Sequence, residues 1–389
     1  MKICVISNLY PPEARGGAER VAKTIADGFS AASNEVSVVS TKTGRGLTTE
    51  IVEGIKVYRF KPMNLFYYLD DERYSVCWRF FWRLFDTFNL HSAFVVWRIL
   101  KKERPQIVIT HNLVGIGLLI PSVVKILKIR HCHILHDVQL VAPSGIILKG
   151  KENDFLTNGW LARVYAAICK ILFGSPFMII SPSRWLMNFY VSKGFFQSSK
   201  RIILPNPIRR LEQEIPEKTA LSGSFLFLGQ LKEHKGIHWL INLWQKNNIQ
   251  NKLLVAGSGK EQRGGGNIQL VGDVDESSLN KIFVQADFLI VPSICYENSP
   301  TVILLAFLYG VPVIAANIGG AAELVENGKN GFVFDAENEQ EFLKALNAAR
   351  GMTLPAWNAM SRACQEKSKT FLIDDYIEKL YAAINQSFN

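Results

Sequence analysis

Short apolar runs alternate with amphipathic stretches along the first half of the chain. Runs at residues 2–7, 35–40, 106–110, 131–135, 177–180 and 201–204 have the length and β-branched content of buried strands. Between them, apolar positions recurring every three to four residues predict helices at 16–30, 160–172 and 183–193, with an inserted pair at 72–88 and 92–102. Such alternation is the mark of a parallel sheet covered by helices on both faces. Residues 205–222 break the pattern with Pro207, Arg209, Arg210, Glu212, Glu214, Pro216, Glu217 and Lys218, a polar stretch that reads as a linker. A second alternation follows, with strands near 224–228, 252–256, 268–271, 288–291, 311–315 and 331–334. The expectation is an α/β protein of two Rossmann-like domains facing across a cleft, 1–207 and 208–369. The last helix, 370–389, is expected to pack back onto the first domain.

Size and composition agree with that layout. A chain of 389 residues is too long for one ordinary core, and 48% hydrophobic with 20% charged residues is a globular balance. Residues 299–316 form an uncharged apolar run, but Pro300, Gly310 and Pro312 interrupt it, so a buried helix followed by a strand is expected rather than a membrane span. Residues 2–7 read as a strand rather than as part of a signal peptide. The six cysteines show no Cys-x-x-Cys spacing and mostly lie in apolar segments, which suits reduced, buried thiols in a cytoplasmic protein.

A formal net charge of +10 implies attraction to something anionic. Much of the excess lies in the amino-terminal half, where Arg79, Arg83, Arg98, Lys101, Lys102, Arg104, Lys125, Lys128 and Arg130 are interleaved with Trp78, Phe80, Phe81, Trp82, Phe85 and Trp97, and an anionic membrane contact is expected at 72–104. Basic residues among aromatic ones suit an anionic membrane surface, with core helices bearing solvated basic faces as the alternative. Nucleic acid is not expected, because no basic recognition element carries base-reading side chains.

Candidate chemistry concentrates in the loops that follow strands. Glu297 and Asn298 read as loop, Ser299 as the N-cap and Pro300 as the start of the first helical turn, ahead of Thr301 and Val302. A helix start at the carboxyl edge of a strand offers amides and a positive dipole end to a diphosphate. Gly16 and Gly17 open a helix after the first strand, without the spacing of a dehydrogenase fingerprint. In the second half Gly229, Gln230, Lys232, Lys235 and Gly236 link a strand to a helix, while Gly257 and Gly272 end the next two strands. His136 and Asp137 end the strand at 131–135, with His111 and Asn112 beside them in the same position. Asp273 and Asp275 form an Asp-x-Asp, but Asp275 directly precedes a helical stretch and reads as its N-cap, so no catalytic metal is expected.

These segments together resemble the GT-B glycosyltransferases of retaining family 4. The family signature is a Glu, seven residues, a second Glu and a Gly-x-Pro-Val strand; here Glu297 fills the first position, Leu305 stands at the second, and Gly310 opens the strand. The resemblance implies that Glu297 lies by the donor sugar and that the ribose contact of the second Glu is missing. It further implies that Lys235 grips the diphosphate, that Gln230 replaces an arginine whose charge Lys232 or Lys260 would supply, and that the base lies near Gly272. His136 would orient the sugar, and the amides of Ser299, Pro300's successor Thr301 and Val302 would hold donor oxygens.

The implied activity is transfer of a hexose from a nucleotide diphosphate sugar, UDP-glucose being the first choice, to a polysaccharide or lipid-linked hydroxyl. No cofactor or metal is required in that expectation. The enzyme would be cytoplasmic, or peripheral on the inner face of the cytoplasmic membrane. Two alternatives stand beside it: a catalytically silent relative that binds nucleotide sugar or serves as a scaffold, and a Rossmann oxidoreductase.

Overall fold

A computed structural model describes residues 1–13, 16–212, 215–259 and 264–385. Glu214, Lys260 and the end of the expected helix at 370–389 lie outside them. The chain divides into two compact units, Met1–Ile146 with Asn153–Pro207 and Ile373–Asn389, and Ile147–Glu152 with Ile208–Leu372.

The first unit holds β1 (Lys2–Ile6), β2 (Glu35–Thr41), β3 (Thr48–Val52), β4 (Ile55–Phe60), β5 (Ile107–Thr110), β6 (Arg130–Ile134), β7 (Met178–Ser181) and β8 (Lys200–Ile203). They form one sheet in the order β3-β4-β2-β1-β5-β6-β7-β8, parallel except for β3. Its helices are α1 (Gly17–Ala31), α2 (Val76–Thr87), α3 (Leu90–Glu103), α4 (Ile120–Ile126), α5 (Phe155–Asn158), α6 (Trp160–Phe173) and α7 (Arg184–Ser192).

The second unit holds β9 (Ser224–Leu228), β10 (Lys252–Ala256), β11 (Ile268–Gly272), β12 (Phe288–Val291), β13 (Val313–Ala316) and β14 (Gly331–Phe334), all parallel, in the order β11-β10-β9-β12-β13-β14. Helices α8 (Ile237–Lys246), α9 (Leu279–Gln285), α10 (Thr301–Leu308), α11 (Ala321–Leu324), α12 (Glu339–Arg350) and α13 (Leu354–Lys369) accompany it, and α14 (Ile373–Asn385) belongs to the first unit.

Strand periodicity explains why both faces of the second sheet are covered. Leu226, Leu254 and Leu289 point into one core, with Phe307 and Cys364, while their neighbours Phe225, Leu253 and Phe288 point into the other, with Trp244 and Leu346. In the first unit α14 packs beside α1, where Phe29 meets the Tyr381 ring edge-on at 5.4 Å. Gly28 permits that approach, since a Cβ there would lie 2.7 Å from Ile373.

The structure departs from the sequence reading in definite places. The hairpin β3–β4 was not expected, because β3 is a sheet-edge strand exposed along nearly its whole length and carries no buried alternation. The helix expected at 72–88 is a 3-10 turn, Tyr68–Arg73, followed by α2. The strand expected at 311–315 begins at Val313, because Val311 is spent ending α10: its amide donates to the Ala306 carbonyl at 2.7 Å, around Gly310 in a left-handed conformation. The apolar run at 299–316 is thus helix and strand. Among the described residues no helix is long and apolar enough to cross a membrane.

Candidate active site

Parallel strands bring their following loops to one edge of a sheet, and in the second unit those loops are bonded to one another. After β9, the Gly229 amide donates to Ala256 at 3.0 Å and that of Leu231 to Ser258 at 2.8 Å; after β10, the Gly257 amide donates to the Gly272 carbonyl at 2.8 Å. Gly257 has φ +133, and a Cβ there would lie 1.8 Å from the Gly229 carbonyl oxygen. Gln230, Gly257 and Gly272 therefore lie on three consecutive, interlocked loops.

The loops after β9 and β12 meet in the same way. Ile294 donates its amide to His234 at 3.1 Å, and Gly236, at φ +73, leaves no room for a side chain against the Pro292 carbonyl. This contact brings Lys235 Nζ within 2.5 Å of Glu297 Oε1, which also accepts from the Ser293 hydroxyl at 2.8 Å. Burial pushes the Glu297 carboxyl up, but the neighbouring Lys235 and Ser293 outweigh it and hold it below its ordinary value. Burial likewise opposes the Lys235 charge, and Glu297 more than restores it. Both side chains are charged at neutral pH.

Helix α10 begins at Thr301, one residue later than expected, and its N-cap is Pro300, not Ser299. Proline fixes φ there, and the Ile303 amide donates to its carbonyl at 3.0 Å, while the amides of Thr301 and Val302, at the helix start, have no intrahelical acceptor. Ser299 is buried, Asn298 half-buried. Leu305 is partly buried and packs against the core that Leu304 and Phe307 fill.

Two contributors to this site escaped the sequence reading. Gly319 and Gly320, after β13, clamp the Glu297 backbone: the Gly320 amide donates to the Glu297 carbonyl at 2.6 Å, and a Cβ at Gly319 would lie 2.4 Å from that oxygen. A glycine pair shortly after a strand was the available signal. The other is the segment 147–152, which joins the second unit. Tyr296 donates its amide to Ile147 at 3.0 Å and its hydroxyl to Glu152 at 2.7 Å, and Lys149 pairs with Asp335 at 2.5 Å.

In the first unit, Gly16 is the extended N-cap of α1 and donates its amide to Glu19 Oε2 at 3.0 Å, with Gly17 as the first helical residue. Buried Arg59, on β4, holds the loop after β1 by its Tyr10 carbonyl at 2.8 Å and by that of Pro11. His136 Nε2 lies 2.8 Å from His111 Nδ1, with the rings stacked. Burial lowers the His136 pKa to about 4, and burial with His136 and His133 nearby drives that of His111 well down. Both rings are neutral near pH 7, so one nitrogen donates and the other accepts. Below them Thr110 Oγ1 lies 2.7 Å from His131 Nε2 and 2.8 Å from His133 Nδ1. Burial raises the Asp137 pKa to about 7.

The Asp-x-Asp carboxylates are engaged locally. Asp275 Oδ1 accepts from the Ser278 amide and the Ser277 hydroxyl, both at 2.9 Å, and Asp273 accepts from the Val274 amide at 3.1 Å. Among the described residues no group of three or more His, Cys, Asp or Glu side chains is placed to hold a metal ion.

Residues 15–210, half of the chain, match the family described as Glycosyltransferase Family 4, and residues 222–349 match Glycosyl transferases group 1. The chain belongs to this glycosyltransferase family. A Klebsiella pneumoniae relative, an uncharacterized 42.6 kDa protein in the cps region, is 24% identical over 332 residues, 83% of this chain and 87% of that protein. Sucrose-phosphate synthase from Thermosynechococcus elongatus superposes with a TM-score of 0.74 at 16% identity, covering 99% of both chains. The Anabaena protein HepE in complex with UDP-glucose gives 0.68 at 17% identity, over 98% of this chain and all of that one. The fold is therefore GT-B and the chain is a glycosyltransferase; the oxidoreductase alternative falls.

Proposed function

We propose that this glycosyltransferase is a retaining enzyme that moves a hexose, glucose from UDP-glucose in the first instance, onto a hydroxyl of a polysaccharide or lipid-linked saccharide. The Lys235–Glu297 pair at the start of α10 carries the reading. A diphosphate laid against Lys235 and the first amides of α10 would meet a fixed cation and a positive dipole end, which favour the charge that develops on the leaving phosphate. Glu297 would orient the sugar while keeping Lys235 in place, and the leaving phosphate would itself take the proton of the incoming hydroxyl. His136, neutral and braced by His111, would hold a sugar hydroxyl. Gly16 and Gly17 would let the backbone approach the substrate, Gly257 and Gly272 would line the nucleotide, and Gln230 would give the diphosphate a neutral donor. No metal enters this scheme.

HepE, a structural relative, is complexed with UDP-glucose, which supports the donor, and the relative in the cps region supports a saccharide acceptor. The exposed aromatic and basic residues of 72–104 favour a cytoplasmic enzyme that works at the inner membrane face. The decisive experiment measures UDP release from UDP-glucose and heat of binding for UDP, ADP and GDP sugars. Absence of both would turn the reading toward a silent relative, which Leu305, packed on the core where the family signature has its second Glu, specifically favours. Turnover abolished by EDTA and restored by manganese would overturn the metal-free scheme.

A further inference from the structure

The first unit contains a concavity of about 990 Å³ between α3, the β3–β4 hairpin and residues 60–65. One wall is a single face of α3, since His91, Val95, Arg98, Ile99 and Lys102 follow helical spacing. The opposite wall is apolar, with Leu47, Phe60, Met63 and Leu65, and Phe85 of α2 closes one side. Met63 is 70% exposed and Phe85 56%, so this is apolar surface left in contact with water. The charged lining residues are Arg45, Lys61, Arg98 and Lys102, and none of the lining residues is a carboxylate. His91 adds a buried Nδ1 without a hydrogen-bond partner.

The groove is held open by its own hydrogen bonds. Asn64 donates to Asp86 Oδ1 at 2.9 Å, Asn89 donates to the Met63 carbonyl at 3.2 Å, and Trp82 donates to the Phe66 carbonyl at 2.7 Å. These contacts tie residues 63–66 to the α2–α3 corner, so little ordering entropy remains for a ligand to offset. Past Phe85, α2 continues the apolar surface with exposed Phe81 and Trp78.

We propose that this groove seats a single lipid phosphate, its phosphate among Arg45, Lys61, Arg98 and Lys102 and its first hydrocarbon units on the Leu47–Met63–Leu65 wall. It would be the lipid end of the acceptor, a role that rests on the function proposed above. Four cations in a lining that holds no carboxylate favour an anion, with Glu103 beside Lys102 offsetting part of that one charge. Hydrocarbon seated on the apolar wall leaves water, a gain that neither a bare phosphate nor a free sugar would make.

The test titrates the full chain with dodecyl phosphate below its micelle concentration, against dodecanol and inorganic phosphate, in parallel with UDP. Dodecyl phosphate should saturate one site, with each comparison compound at least tenfold weaker. R98Q and K102Q, both at exposed positions, should each weaken it about tenfold and leave UDP affinity unchanged. Equal binding of dodecanol, or of inorganic phosphate, would overturn the proposal in favour of a plain apolar or plain anion site. Binding of phosphatidylglycerol vesicles without binding of monomeric dodecyl phosphate would replace it with a membrane surface. Dodecyl phosphate binding without any UDP-glucose turnover would leave the groove standing and remove the proposed function instead.

Discussion

The Lys235 ammonium and the Glu297 carboxylate share an ion pair of 2.5 Å, although 62 positions separate them in the chain. Their side chains are only 27% and 13% exposed, so each depends on the other to remain charged. Under the proposed function, one pair would supply both a cation for a diphosphate and a carboxylate for a sugar.

Lys235→Ala is expected to weaken UDP binding tenfold to hundredfold, corresponding to about 1.5–3 kcal/mol for a charge-assisted contact. Lys246→Ala is the control, since Lys246 pairs with Glu339 on the exposed surface. Calorimetric titration with UDP decides the matter; equal affinities for the two variants would remove Lys235 from the site. Thermal melts of Lys235→Ala, Glu297→Gln and the double variant should show coupling, the double variant losing less than the sum of the singles.

Gly319→Ala should damage catalysis more than stability. The left-handed φ of +59 strains any side chain there, and the added carbon would press on the Glu297 backbone. We expect kcat to fall at least tenfold and the melting temperature to change by only a few degrees. Wild-type kcat in this variant would show that the clamp on Glu297 is not needed.

Leu305→Glu tests the departure from the family signature. If the ribose lies beside the second turn of α10, the new carboxylate should tighten UDP by on the order of tenfold, worth ~1.5 kcal/mol. Lost packing against the Leu304–Phe307 core should lower the melting temperature. A folded variant that binds UDP no better places the ribose elsewhere and supports a silent relative.

Acid should destabilise the first unit through its buried histidines. His131 and His136 have folded pKa values of about 3 and 4, and those of His111 and His133 are well depressed, all chiefly by burial. Their contribution is present above the unfolded value of ~6.5 and is lost as pH falls. Asp86 and Asp137, raised by burial to about 6 and about 7, act oppositely: their contribution is present at low pH and is lost as pH rises through those values. Near pH 5.5 the histidines dominate, so unfolding should take up about two protons net and stability should drop by about 3 kcal/mol per pH unit. Denaturant titrations at pH 7 and pH 5.5 measure this, and flat stability would show that the histidine cluster is hydrated.

The amino-acid sequence by itself determined the alternation of strands and helices and the family, because burial periodicity and loop chemistry are local. It also pointed to Lys235 and Glu297 separately, each from its own motif. Only the tertiary structure decided that they pair, that His136 leans on His111, that Pro300 rather than Ser299 is the N-cap of α10, and that residues 147–152 belong to the second unit. Those outcomes depend on which loops meet at a sheet edge, such as Gly236 on Pro292 and Gly319 on Glu297, and such contacts join residues too far apart in sequence to leave a periodic trace. The edge strand β3 went unread for a related reason: exposed on both faces, it is held by its partner strand β4 and not by a pattern of its own.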